Sequence, residues 1–296
     1  MVVSVVFLLI HLVPGDPVVQ MLGEGATASD VSVLRHAYGL DAPLHTQYLH
    51  YWRGVLHADL GQSLRLHDSV THLVAQCYPY TLALTVAALL IGIAVSIPAG
   101  IYSALYRGRW PDRVLGVTSL AGLSFPNFAL GPVLILIFSI KLGWLPVSGA
   151  GTGSIFSGQF LVYLILPAIT LGMGLAGILT RMVRTAMLEE LNQDYIRTAR
   201  AKGLSERTVV YRHALGNALI PVLTILGLQF GSLLSGAIVT ETVFSWPGIG
   251  RLTLSAISNR DYALVQGCIL AVGLTYVAVN LLTDVAYTLA NPRMRA

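Results

Sequence analysis

Five stretches of the chain are apolar almost without interruption: residues 80–105, 114–140, 160–181, 217–239 and 263–289. Each reaches the about 20 mainly apolar residues an α-helix needs to cross a bilayer. A sixth stretch, Met1 to Val13, is as apolar but short, and no basic residues precede it. It reads as the second half of a first span cut by a start placed too far downstream. A cleaved signal peptide is the rival reading. It lacks a charged n-region, and Pro14-Gly15-Asp16-Pro17 is no small-residue cleavage site. The pattern predicts an all-α polytopic membrane protein of six transmembrane helices, the first N-terminally truncated. Its parts are a partial helix 1–13, an outer loop region 14–79, a membrane domain 80–289 and a tail 290–296. Within the membrane domain, 182–216 is a long polar loop.

Composition sharpens this reading. Of 296 residues, 55% are hydrophobic and 11% charged, against about 25% charged in an ordinary soluble domain. So little charge cannot cover a soluble surface. Soluble enzymes, disordered scaffolds and secreted disulfide domains are excluded. The net charge of +4 does not point to nucleic acid, because the positive residues flank spans instead of forming one patch.

Those positive residues set an orientation. With the N-terminus inside, the inner segments hold Arg107, Arg109, Arg113, Arg181, Arg184, Arg197, Arg200, Lys202, Arg207, Arg212, Arg293 and Arg295. Only Arg35, Arg53, Arg65, Lys141, Arg251 and Arg260 fall outside. Both termini are therefore expected in the cytoplasm.

Prolines 98, 126, 132, 167 and 221 interrupt spans, which is tolerated where neighbouring helices or a cavity satisfy the freed backbone. Gly227 and Gly231 form a GxxxG, and Gly92, Ser96 and Gly100 repeat the spacing. Small residues let helices approach closely, either inside the bundle or at a dimer seam. Cys77 and Cys268 are no disulfide framework and no zinc set. One bridge between them, or two buried thiols, fits the topology.

Catalytic chemistry is missing. A P-loop needs Gly-Lys-Ser/Thr, and the two lysines, Lys141 and Lys202, do not follow glycines. The run 149–153 is glycine-rich but follows no strand and reads as a loop. No G-x-S-x-G elbow or H-E-x-x-H helix occurs. Among the loop histidines, His45/His50 and His67/His72 are five apart, off the i, i+4 spacing of two ligands on one helical face. No metal site is expected. Asp284 is the main charge within a span, with a structural hydrogen bond or a functional carboxylate as its two readings. His11 in the first stretch is similarly ambiguous.

The polar loop 182–216 is the most informative segment. Asp194 is placed to N-cap a short helix and Gly203 to end it in the left-handed conformation. The helix Tyr195–Lys202 would be about 12 Å long, with Ala199 and Ala201 among basic residues. It is either a docking element for a groove on another protein or a connector lying on anionic lipid.

The segment Tyr195-Ile196-Arg197-Thr198-Ala199-Arg200-Ala201-Lys202-Gly203-Leu204 resembles the coupling loop of ABC importer permeases of the dipeptide/oligopeptide/nickel class. Gly216 departs from that pattern, and Asn217-Ala218-Leu219 with Pro221 rejoins it. The resemblance covers nearly the whole chain. It includes Pro14-Gly15-Asp16-Pro17, Tyr38-Gly39-Leu40-Asp41, Asp59-Leu60-Gly61, Ser124-Phe125-Pro126-Asn127-Phe128, Gly143-Trp144-Leu145-Pro146, Glu241-Thr242-Val243-Phe244-Ser245-Trp246-Pro247-Gly248-Ile249-Gly250, Asn259-Arg260-Asp261-Tyr262 and Asn291-Pro292-Arg293.

The resemblance implies the type I importer permease fold and a B-type transmembrane subunit in a bacterial or archaeal plasma (inner) membrane. It implies a heterodimer with a second, homologous permease, two cytoplasmic ATPases, and an extracytoplasmic solute-binding protein. The chain itself would be no enzyme and hold no cofactor, with ATP and Mg bound by the ATPases. Residues 195–204 would couple to them. Trp246, Pro247, Gly248, Arg260 and Asp261 would face the binding protein, with Trp246 as an anchor or membrane-interface residue. Di- or oligopeptides lead the expected cargo, with nickel, a metal chelate or glutathione behind. An autonomous gradient-driven transporter or channel is the alternative, but it would need ionisable groups at mid-membrane.

Overall fold

A computed structural model describes residues 1–12, 17–22, 27–37, 39–152, 154–155 and 157–290. Pro14-Gly15-Asp16, Tyr38, Gly153 and Asn291-Pro292-Arg293 lie outside the described residues. Within them the fold is helical, with one isolated antiparallel bridge between Gln62 and Ser69.

Among the described residues, four helices are long and apolar enough to cross a membrane: Val70–Leu105, Gly158–Leu191, Glu206–Val243 and Tyr262–Val285. A bent pair, Trp110–Ser124 and Phe128–Lys141, at 108° to each other, is either one broken span or a re-entrant loop. The expected span over 114–140, interrupted by Pro126 and Pro132, is bent sharply at the first of them. The cause is local. Pro126 bars the residue before it from the helical region, and Phe125 adopts φ −84°, ψ 116°. Beyond the break the backbone turns π-helical over Ile135–Lys141, just after Pro132 has removed a helical N–H. The first stretch, α1 (Val2–Leu12), is about 16 Å long, short of a crossing. Among the described residues, the expected six spans are met by four continuous apolar helices, one bent pair and this short helix.

The chain divides into two units, and the boundaries pass through two of the long helices. The first unit holds residues Met1–Thr81 and Pro247–Thr275. It contains α1, α2 (Pro17–Leu22), α3 (Ala28–Ala37), α4 (Leu44–Leu56) and the opening turns of α5 (Val70–Leu105). Helix α5 starts ten residues before the apolar run that announced it. One core joins Val70 and Val74 to Ile249 and Ala256 of the helix Ile249–Ser258 and to Leu264 and Cys268 of the helix Tyr262–Ala290. Gly267 permits this approach, since a Cβ there would fall 2.3 Å from Val70 Cγ1. Val3, Val6 and Leu270 form a second cluster, and Gln266 Nε2 donates to the Val6 carbonyl. Cys77 and Cys268 carry thiols and are not bridged.

The second unit holds Leu82–Trp246 and Tyr276–Ala296. It contains α6 (Trp110–Ser124), α7 (Asn127–Leu134), α8 (Gly158–Leu191), the short helices α9 (Asp194–Ala201) and α10 (Glu206–Thr208), and α11 (Leu215–Val243). Helix α8 is its centre: 56% of its apolar window is buried, against 28% for α5. Glycines set the contacts. A Cβ at Gly172 would sit 2.7 Å from the Ala88 carbonyl oxygen, and one at Gly177 would sit 2.6 Å from that of Ser119. The GxxxG of α11 packs inside the chain, because Cβ atoms at Gly227 and Gly231 would meet Thr283 and Tyr276 within 2.5 Å. These two glycines are occupied by internal packing, leaving no room there for a dimer seam.

Candidate functional site

Helix α8 ends at Leu191. After Asn192 and Gln193 the chain re-enters a helix, α9 (Asp194–Ala201). The expected N-cap Asp194 is instead the first helical residue, and Gln193 caps with its backbone alone. Asp194 still serves the first turn, where a negative charge suits the helix dipole, and its carboxylate accepts from Arg197 Nη1 at 3.3 Å. At the other end Gly203 has φ +77°. Its N–H donates to the Arg200 carbonyl at 2.9 Å, and that of Leu204 to the Ala199 carbonyl at 3.3 Å. This is a Schellman closure, as the sequence predicted. The helix is displaced by one residue from the expected 195–202.

One narrow stripe holds α9 down. Ile196 is fully buried and Ala199 nearly so, three residues apart on one face. They lie over the π-helical segment Val209–Ala214, whose Val209, Val210 and Ala214 are also buried. Tyr195, Arg197, Thr198, Arg200, Ala201, Lys202, Gly203 and Leu204 are all exposed.

Polar contacts fix the ends of this short helix. The Tyr195 hydroxyl donates to Glu190, at the end of α8, and accepts from Asn217 Nδ2 at 2.9 Å, at the start of α11. Partial burial, with Glu190 beside it, pushes the Tyr195 phenol above its usual range. Arg200 donates to Glu206 through Nε at 2.7 Å and Nη2 at 3.3 Å. Glu206 pairs with Arg200 and Asp194 with Arg197, and Lys202 follows as the exposed C-cap of α9. The result is a rigid knob with a small, basic outer face.

The second group of predicted residues behaves differently. Trp246 is fully buried, with its ring centroid 5.2 Å from that of Phe160. It is a core residue, whereas an anchor or a membrane-interface residue was expected; an indole this large stabilises most when fully packed. Gly248 is buried as the N-cap of α12 (Ile249–Ser258), and Pro247 is half-buried. Asp261 is also buried. One carboxylate oxygen accepts from Ser63 Oγ and the other from the Leu264 N–H at 3.1 Å, which pins the loop around Ser63 to the start of α13 (Tyr262–Ala290). Arg260 alone of the five is exposed, with φ +55°.

Three charged residues with the deepest or most elaborate settings escaped the sequence reading. Glu241 in α11 is fully buried. Asp112 and Arg184 form a bidentate pair, Nε to Oδ1 at 2.7 Å and Nη2 to Oδ2 at 2.8 Å. Only the placement of Asp112 in the first turn of a helix, beside an arginine-rich turn, hinted at its role. Asp284, singled out instead, is exposed. His11 lies 3.2 Å from Gln47 Oε1, and no three His, Cys, Asp or Glu converge on a metal site among the described residues.

The family described as binding-protein-dependent transport system inner membrane component matches residues 96–296. Its N-terminal companion matches residues 1–85. The chain is 43% identical to the glutathione transport system permease protein GsiC of Salmonella choleraesuis over 294 residues, 99% of this chain and 94% of that one. It is also 43% identical to GsiC of Escherichia coli K12 over 295 residues, with the same coverage. Among solved structures it resembles the inward-facing MetNI methionine ABC transporter at TM-score 0.62 and 18% identity, covering 74% of this chain and 96% of that one. An amino acid ABC transporter crystallised with histidines follows at TM-score 0.51 and 15% identity, covering 75% and 94%. The type I permease fold and the family are thereby established, and the chain belongs to the inner-membrane permease components of binding-protein-dependent ABC importers.

Proposed function

We propose that this chain is one of two permeases of an ATP-driven importer and that α9, with Lys202, Gly203 and Leu204, docks it to a cytoplasmic ATPase. The observation that carries this reading is the one-sided burial of α9. Ile196 and Ala199 anchor it while its other residues stay exposed. A helix of eight residues cannot bury a core of its own, but it fits a groove. A second, homologous permease would complete the pathway, and two ATPases carrying ATP and Mg would drive it. An external solute-binding protein would deliver cargo to the loops within 14–79 and 240–262, where exposed Arg260 is the best-placed contact. Both termini then lie in the cytoplasm, in line with the excess of Lys and Arg on that side.

For cargo, the 43% identity to a glutathione permease over nearly the full chain favours glutathione or another short peptide over nickel or a metal chelate. Among the described residues, Glu241 near the end of α11 carries a fully buried carboxylate, the kind of group a gradient-driven carrier would use, but it sits at the helix end and not at its middle.

The test is reconstitution of the complete complex in proteoliposomes with its binding protein. Glutathione, a dipeptide and nickel are supplied in turn, and uptake is read with ATP hydrolysis. ATP-dependent uptake of glutathione or dipeptide, lost in Gly203→Glu, is expected. Uptake without ATP, or normal substrate-stimulated hydrolysis in Gly203→Glu, would overturn the reading.

A further inference from the structure

Helix α8 is the mechanical link to the proposed docking helix. Its 34 residues make it about 51 Å long. Its apolar part ends near Arg181, so residues 182–191 extend about 15 Å further before the chain turns into α9. A displacement of α9 reaches the bundle through this overhang. If the overhang bends or rotates, the motion is lost before it arrives.

The base of the overhang is tied at one charged point. Arg184 grips Asp112 with two parallel hydrogen bonds of 2.7 and 2.8 Å. The same carboxylate accepts from Ser103 Oγ at 2.6 Å and from the Gly108 N–H at 2.9 Å. Gly108 turns its N–H inward with φ +78°. Asp112 thus joins four places: the end of α5, the α5–α6 turn, the start of α6, and α8. Its side chain is 9% exposed and that of Arg184 32%. One turn away, a Cβ at Gly100 would fall 2.6 Å from Val183 Cβ, so α5 and α8 are in close contact beside the pair.

A leucine contact would fix the distance between these helices and leave rotation about α8 loosely set. A planar guanidinium fork on a carboxylate fixes both. Stability alone does not require such a pair, since an apolar replacement of similar volume is often neutral or stabilising. Its distinctive contribution is geometric.

We propose that Asp112 and Arg184 are positioning residues for energy coupling: they lock the base of α8 to α5 and α6, so that movement of α9 turns these helices as one body. This inference rests on α9 being the docking element. The contacts of the pair are to α5, the α5–α6 turn and each other, and its proposed role is exercised through α8.

The experiment compares the reconstituted importer with three variants: Asp112→Asn, Arg184→Lys, and the apolar double variant Asp112→Leu/Arg184→Met. Three quantities are read: ATPase bound per permease, melting temperature, and solute imported per ATP hydrolysed. The double variant is expected to assemble and melt within a few degrees of the wild type. Its import per ATP should fall by roughly five-fold or more, the scale of a lost coupling interaction. Arg184→Lys keeps the charge but not the fork and should lose part of the ratio.

Unchanged import per ATP in any assembled variant lacking the fork would overturn the proposal. A double variant that fails to assemble shifts the decision to Arg184→Lys and Asp112→Asn. Loss of yield with a normal ratio in the surviving complex would then show that the pair is structural, and overturn it too. The docking reading fails separately, through absence of ATPase from the wild-type complex.

Discussion

Residues 194–204 and residues 244–261 look alike as sequence. Both are polar, motif-bearing segments between apolar spans, and both were expected to meet partners. The fold treats them in opposite ways. The first buries Ile196 and Ala199 and exposes the rest of α9; the second buries Trp246, Gly248 and Asp261 and exposes Arg260. A recognisable loop motif is therefore compatible with two demands. Basic and small residues over an apolar stripe suit an external groove. A large aromatic and an acid with two internal donors serve the loop's own packing.

This contrast makes graded predictions. The largest effect belongs to Trp246→Ala, which empties a packed site against Phe160. It should cost about 3–5 kcal/mol, read as a lowered midpoint in denaturant for the detergent-solubilised chain; a midpoint within error of wild type would place the indole outside the core.

Asp261→Ala comes next. It strands the buried Ser63 hydroxyl and the Leu264 N–H, at about 1–3 kcal/mol. Proteolysis of the loop around Ser63 should speed up, whereas Asp261→Asn, which keeps an acceptor oxygen, should recover part of the protection.

Gly203→Ala is smaller. There is open space for its methyl group, so the cost is the left-handed backbone alone, about 1–2 kcal/mol, shown as a small loss of melting temperature. Gly203→Glu adds charge to the exposed face and should reduce transport far more than stability. Arg197→Ala and Lys202→Ala should leave melting unchanged, as exposed sites usually do, and still weaken ATPase binding. Equal loss of stability across all these variants would erase the distinction between the two regions.

How much could be read in advance follows from the range of the forces. Five spans were legible because apolar length is a local property, and Gly203 was legible because only glycine takes a left-handed turn without cost. The break at Phe125-Pro126 was half legible: the proline was noticed, but whether a span bends or breaks depends on what packs beside it. The ten extra residues of α5 were hidden because Val70 and Val74 are buried by residues nearly 200 positions away. The same holds for Trp246 against Phe160, Asp261 against Ser63, and Asp112 against Arg184. Each partner lies 72 or more residues off in the chain, and no local pattern encodes it. The exposed face of α9 was the easiest part of the candidate site to infer because it is built from consecutive residues.

The central claim is that the exposed face of α9 holds the ATPase. It is tested most directly by native mass spectrometry of the complex carrying Arg197→Glu and Lys202→Glu together, beside the wild type. The account predicts ATPase subunits on the wild-type permeases, and permeases without ATPase at unchanged melting temperature in the variant. Full ATPase occupancy in the variant, or none in the wild type, would contradict it.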